Sequence, residues 1–210
     1  MNDDYHFKVK KQRPEEIYDE VTDYFKAETL INYANSKTIA RIQQKITLRA
    51  LELMDIPNKN SLLLDAGCGP GFAALFLEEM GYNVVCLDLI PKFLLFYDLM
   101  IVNPLAGDMR LIPFRENSFD GIISISALQW IFKNKNDQVM KKDLIKLIKN
   151  FYTILNLGSK VVFQFYPKNS EILKEIGKIV SENTSFTGNF IIDFPDNPKK
   201  RRIFLILKKD

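Results

Sequence analysis

The stretch that most limits how this chain folds is SLLLDAGCGPG, residues 61–71. A short apolar run ends at Asp65, and glycines follow at positions 67, 69 and 71. FAALFLEEM, residues 72–80, then reads as a helix. Strand, glycine-rich turn and helix in that order form a cradle for a nucleotide-like cofactor. Glycine lets the backbone turn tightly and approach a ligand with no Cβ between them. By itself such a cluster is equally an ordinary strand-to-helix turn, so other residues must decide.

The remainder of the chain repeats the alternation. Apolar, strand-like runs occur at 61–65, 83–88, 102–106, 119–125 and 160–166, with helical patterns at 71–80, 91–100, 137–155 and 170–182. A helix over 36–54 precedes them, with Ser36 as N-cap and Ile39, Ile42, Ile46, Ala50, Leu53 and Met54 at helical spacing. Strands alternating with helices predict a parallel sheet covered on both faces. Runs 189–194 and 203–208 are separated only by a turn, so they pair as an antiparallel hairpin. The predicted fold is α/β and Rossmann-like. It has a mostly parallel seven-stranded sheet with an antiparallel C-terminal hairpin and helices on both faces, the layout of class I methyltransferases. Residues 1–30 read as an N-terminal arm and a first helix over 15–30, with Ile17, Val21, Tyr24 and Phe25 on one face. Residues 31–210 read as the methyltransferase domain.

Composition is globular, 47% hydrophobic and 26% charged. A net charge of +3 allows a nucleic-acid partner without requiring one. No apolar run approaches the ~18 residues of a membrane span. Two cysteines, Cys68 and Cys86, cannot build a zinc site, and no secretory signal precedes them. Reduced thiols in a cytoplasmic protein are expected. The lone His6 lies in the arm and is given no role. FLLFYDLMIV, residues 93–102, is apolar almost all round. It reads either as a buried helix or as a surface over the sheet edge that a partner covers.

Asp88 closes the second strand, 21 residues after Gly67. An acid there suits the ribose hydroxyls of an adenosine. The glycine spacing is G-x-G-x-G, not the G-x-G-x-x-G of a pyrophosphate turn, which points to S-adenosylmethionine, a cofactor with a sulfonium and no phosphate. Asp65 then sits near its positive end, where a carboxylate is favourable. Asp108 and Met109, after Gly107, suit the adenine amino group and a ring nitrogen; an Asx-type turn is the alternative. Cys68, Leu89 and Ser124 complete the cofactor side with Gly67, Gly69 and Gly71.

The fourth strand leads into SISALQW, 124–130, and the fifth into FYPKN, 165–169; both open on the crevice at the strands' carboxyl ends. Ser126, Gln129, Trp130, Tyr166 and Asn169 are the acceptor-side candidates, with Lys168 for phosphate. Trp130 suits stacking on a base, or is a core residue. Basic runs at 8–13, 141–149 and 199–202 suit a nucleic-acid backbone or a solvated surface. No Ser/His/Asp set, metal cluster or placed pair of carboxylates stands out. A reaction needing no strong general base is implied.

IQQKITLRALELM, DAGCGPG, CLDLIPKFL, GDMRLIPFRENSFDGIISISALQW, FQFYPKN and the closing hairpin together resemble the small-subunit ribosomal RNA guanine-N7 methyltransferase family, from about residue 33 to 207. The cofactor motif is widespread; IPFRxxSFDxxISISAxQW with FYPKN is narrow. The resemblance implies a class I fold, S-adenosylmethionine, and methylation of guanosine N7 in small-subunit ribosomal RNA, on RNA or the pre-ribosomal subunit. It assigns the cofactor contacts to Asp65, Gly67, Gly69, Gly71, Asp88, Asp108 and Met109. It also implies a small zinc-binding activator protein over the 91–106 edge. Eukaryotic members carry a lysine-rich C-terminal tail, whereas this chain stops at Asp210. The tail's roles do not transfer, and a prokaryotic, archaeal source is expected.

Overall fold

A computed structural model describes residues 12–56, 58–97 and 103–210. Its seven strands are β1 (Leu62–Ala66), β2 (Asn83–Asp88), β3 (Asn103–Ala106), β4 (Phe119–Ile125), β5 (Leu155–Phe165), β6 (Phe186–Asp193) and β7 (Arg202–Lys209). They form one sheet in the order β3-β2-β1-β4-β5-β7-β6. The first five pair in parallel, and β7 runs antiparallel to both β5 and β6. The order reverses between β1 and β4, so their carboxyl ends diverge and leave a crevice.

Helices α4 (Lys37–Met54) and α5 (Phe72–Glu79) cover one face. Helices α7 (Gln138–Ile154) and α8 (Ser170–Asn183) cover the other. Each helix is amphipathic, and its apolar stripe meets strands whose residues are buried on both sides. The Ser36 hydroxyl accepts from the Ile39 amide, Asp137 caps α7, and Asn169 caps α8 by accepting from the Ile172 amide.

The expected layout is therefore present, with three local differences. The single helix expected over 15–30 is three short pieces, α1 (Pro14–Ile17), α2 (Val21–Tyr24) and α3 (Ala27–Ala34). Val21 and Phe25 pack as expected, on Leu30, Ile90 and Phe93, but Ile17 is 59% exposed. Tertiary contacts decide these breaks, since each piece is too short to hold itself. The helix expected over 91–100 is a 3-10 helix of six residues, Pro91–Phe96, started by the proline. Strand β5 begins earlier than 160, at Leu155, and a register shift against β4 separates its two parts.

Of the apolar 93–102 run, Phe93 and Tyr97 are buried while Leu95 is 82% exposed. Residues 98–102 lie outside the described residues, as do His6 and Lys8–Lys11 of the arm. Cys68 and Cys86 are both buried and unbridged. Among the described residues no helix is long and apolar enough to cross a membrane. Nor do three or more His, Cys, Asp or Glu cluster where they would hold a metal. The hairpin's last helix-side neighbour is α8, and a short α6 (Leu128–Ile131) follows β4 at the crevice.

Candidate active site

A cavity of about 940 Å³ opens at the carboxyl ends of β1, β2, β3, β4 and β5. Gly67, Gly69, Asp88, Leu89, Asp108 and Met109 line one wall. Ser126, Gln129, Trp130 and Tyr166 line the other. Ten sequence candidates thus share one crevice, although they come from five strand ends.

The glycine turn accounts for the first wall. Gly67, Gly69 and Gly71 all have positive φ, at 80°, 54° and 91°, a conformation that side chains disfavour. They differ in their surroundings. A Cβ on Gly67 would lie 2.7 Å from the Ala127 Cβ, and one on Gly71 would lie 2.7 Å from the Tyr97 ring. A Cβ on Gly69 would meet nothing within 4 Å, so this glycine faces open crevice. Asp88 ties the turn down. One oxygen accepts from the Gly69 amide at 2.7 Å and the other from the Ile90 amide at 2.8 Å. Burial pushes the Asp88 carboxyl above its ordinary value, and the two amides pull it back.

Five candidates lie elsewhere. Asp65 is 1% exposed behind the turn, with Oδ2 lacking a hydrogen-bond partner among the described residues. Burial first, then the Asp88 charge, raise its carboxyl to about 7, against the Ala74 amide. Cys68 packs beside Cys86 and Tyr97, and burial raises its thiol. Gly71 starts α5. Ser124 is fully buried. Asn169 lines a separate hollow of about 510 Å³ with Lys133, Lys135 and Lys168. Asp108 is in the crevice but accepts from the Arg110 guanidinium through both oxygens, and from the Arg110 amide at 2.8 Å. This is the Asx turn anticipated as its alternative. Arg110 also bonds Asp143 at 2.7 Å.

On the second wall Ser126 has φ 59°, unusual for a residue with a side chain. Its amide donates to the Gln164 carbonyl at 2.8 Å, and its hydroxyl to Gln164 Oε1 at 3.1 Å. The bend turns the chain so that the Ser126 carbonyl accepts from Gln129 Nε2 at 2.9 Å. Gln129 is 6% exposed, and its Oε1 has no partner among the described residues. The Trp130 ring stacks on Tyr24, with centroids 5.9 Å apart.

Sequence reasoning missed the roof. Arg13, Glu15, Tyr18, Tyr24, Phe25 and Tyr33 all line the cavity, from a segment read as a loose arm and a helix. Arg13 donates to the Tyr166 carbonyl at 2.8 Å and lies over the Tyr166 ring. Lys133 donates to the Tyr18 carbonyl at 2.8 Å. Phe25 meets Tyr33 and Phe93 edge to face, and those two rings lie tilted against each other. Glu15 is 6% exposed, and its Oε1 has no partner among the described residues. Burial raises its carboxyl, while its own backbone amide, Arg13 and Lys133 lower it. The available signal was the aromatic density of residues 18–33, high for an arm.

The first wall fits S-adenosylmethionine. The open face of Gly69 is a cradle that a Cβ would fill. Asp88 keeps lone pairs beyond those its two amides use, and Asp65 has one oxygen unpartnered among the described residues beneath the turn, where a sulfonium would favour its ionised form. The matching family model is a methyltransferase domain, over residues 64–163. S-adenosylmethionine is its cofactor, and solved structures of this fold hold the product S-adenosylhomocysteine. A Pyrococcus horikoshii protein of known structure shares the fold: TM-score 0.66 at 16% identity, covering 90% of this chain and 99% of that one. Among curated proteins, the mouse 18S rRNA (guanine-N(7))-methyltransferase is 37% identical over 183 residues, 83% of this chain and 64% of that protein. The 18S rRNA (guanine(1575)-N(7))-methyltransferase of Saccharomyces cerevisiae is 36% identical over 195 residues, 88% of this chain and 68% of that protein. The chain thus spans about two thirds of the length of the curated relatives it matches. Identity at that level over so much of both sequences means that the chain belongs to the 18S rRNA (guanine-N7)-methyltransferase family.

Proposed function

We propose that this protein methylates N7 of a guanosine in small-subunit ribosomal RNA. The observation that carries the reading is an aromatic-walled crevice facing the cofactor turn, in a chain of this family, with no His or Cys among the described cavity-lining residues and Lys199 as the one lysine. S-adenosylmethionine supplies an electrophilic methyl group on a sulfonium. In this reading Asp65, Gly67, Cys68, Gly69, Gly71, Asp88, Leu89, Asp108, Met109 and Ser124 hold or support it. Asp88 does so with lone pairs left over from the turn, and Asp65 through its charge from behind. Guanine N7 carries a free lone pair at neutral pH, so no residue has to remove a proton first. The chain's work is orientation, which contributes roughly 7–11 kcal/mol when reacting groups are well aligned. Trp130 and Tyr24 offer faces to an unstacked base, and Ser126, Gln129 and Tyr166 offer polar contacts, whereas Asn169 caps α8 in the neighbouring hollow.

Exposed apolar residues on the 91–106 edge, Leu95, Phe96 and Leu105, support a protein partner there; the zinc-binding activator is the partner we propose. Two free buried cysteines are consistent with work in the reducing cytoplasm. The test is chemical cleavage specific for N7-methylguanosine, applied to small-subunit RNA from cells with and without the gene. Loss of one cleavage site, restored by the wild-type gene and not by Asp88→Ala, is expected. An unchanged pattern overturns the reading.

A further inference from the structure

Two buried acceptors in the crevice lack partners among the described residues, and their chemistry matches one edge of guanine. Glu15 Oε1 and Gln129 Oε1 are both shielded from solvent, and both residues line the same cavity. Leaving a buried acceptor unsatisfied costs roughly 1–3 kcal/mol, and two in one cavity point to donors that arrive with a ligand. The orientation of Gln129 is not free: its amide nitrogen donates to the Ser126 carbonyl, so the oxygen must face the other way. Glu15 is carried by α1, whose neighbour Arg13 is anchored to the Tyr166 and Pro167 carbonyls. Gln129 is therefore held by a backbone contact, and the helix that carries Glu15 is pinned to the far wall through Arg13.

The purine edge opposite N7 differs between bases. Guanine presents three N–H groups there, one on N1 and two on the exocyclic N2. Adenine presents a bare N1 lone pair and C2–H, and would bring an acceptor against a carboxylate. We infer that Glu15, with Gln129, reads the N1–H and N2–H groups of the target guanine and is the specificity-determining pair of this site. The inference rests on the guanosine-N7 reading above but concerns the base alone. It also gives the stacked Trp130 and Tyr24 rings a purpose, since both line the cavity that holds the two acceptors.

The experiment uses the full chain saturated with S-adenosylhomocysteine, so that nothing turns over. Binding of guanosine and of inosine, which lacks only the N2 amino group, is followed by quenching of the single tryptophan and by calorimetry. Wild type is expected to favour guanosine by on the order of tenfold. Glu15→Gln replaces an acceptor pair by one acceptor and one donor, and is expected to bring that preference to about one. Unaltered S-adenosylhomocysteine affinity and melting temperature would show that the variant is folded. Equal binding of guanosine and inosine by wild type, no measurable guanosine binding, or a preference kept in Glu15→Gln would each overturn the inference. The wild-type comparison needs no variant at all. Guanosine preference in a protein that leaves ribosomal RNA unmethylated would sink the ribosomal reading and keep this one. Methylated ribosomal RNA with no nucleoside preference would do the reverse.

Discussion

Asp65 was legible in the sequence as the acid at the end of the first strand; its isolation was not. Only the folded chain shows it 1% exposed, with one oxygen unpartnered and Asp88 close enough to repel it. Spacing gives a residue's place along the chain, whereas a shifted pKa depends on what packs over it. The consequence is a pH dependence. Asp65 is raised from 3.8 to about 7, so the folded state holds this proton more tightly than the unfolded chain. Below about 4 both states are protonated and stability is full. From about 4 to about 7 the unfolded chain ionises while the folded one does not, and stability falls, levelling off above about 7. The loss is on the order of 4 kcal/mol. Asp65→Asn removes the titration and keeps the shape. Melting curves without cofactor should show the variant several degrees above wild type at pH 8, with the gap closing at pH 4. Parallel curves at both pH values would contradict the assignment.

At the scale of elements, the sheet and its four covering helices could be read from period and punctuation, because each buries a continuous apolar face. The N-terminal segment could not. Tyr24 and Phe25 were read on one face of a single helix, but the segment breaks into three short pieces, and with Tyr18 and Tyr33 these rings take the positions set by the crevice they roof. The site was legible where it lies on strand ends and hidden where a distant segment closes over it. The turn between β1 and α5 makes a sharper test, since its glycines have separable duties. Gly67→Ala and Gly71→Ala each place a Cβ 2.7 Å from a neighbour at positive φ. Each should destabilise by about 2 kcal/mol or more, through strain and overpacking together. Gly69→Ala meets only the backbone penalty, about 1 kcal/mol. Denaturant titrations should rank the variants in that order. Calorimetry should nevertheless find cofactor binding weakened at least tenfold in Gly69→Ala, because its methyl group fills the cradle. Normal cofactor affinity in that variant would remove Gly69 from the binding surface.

For the whole molecule, the relevant quantity is where positive charge stands relative to the crevice. The net charge is only +3, which fixes no partner. Its distribution says more. Lys141 pairs with Glu175 and Lys146 with Asp143, so much of the 141–149 run is balanced by its own neighbours. Lys199 and Arg202 lie instead on the rim of the main cavity, and Lys168 on the rim of the adjoining hollow. An RNA strand delivering a base to Trp130 must pass these rims, and each phosphate met by a lysine releases a counterion. Apparent RNA affinity should therefore fall steeply as salt rises from 50 to 200 mM on a scale of roughly tenfold or more. Lys168→Ala and Lys199→Ala should each flatten the log–log slope by about one, with little effect on nucleoside binding in the crevice. Filter binding across a salt series measures this directly. A slope near zero in wild type would mean that the crevice takes its base from something other than a polyphosphate chain. Slopes unchanged in both variants would mean that the RNA enters by another face, leaving the rim lysines as ordinary surface.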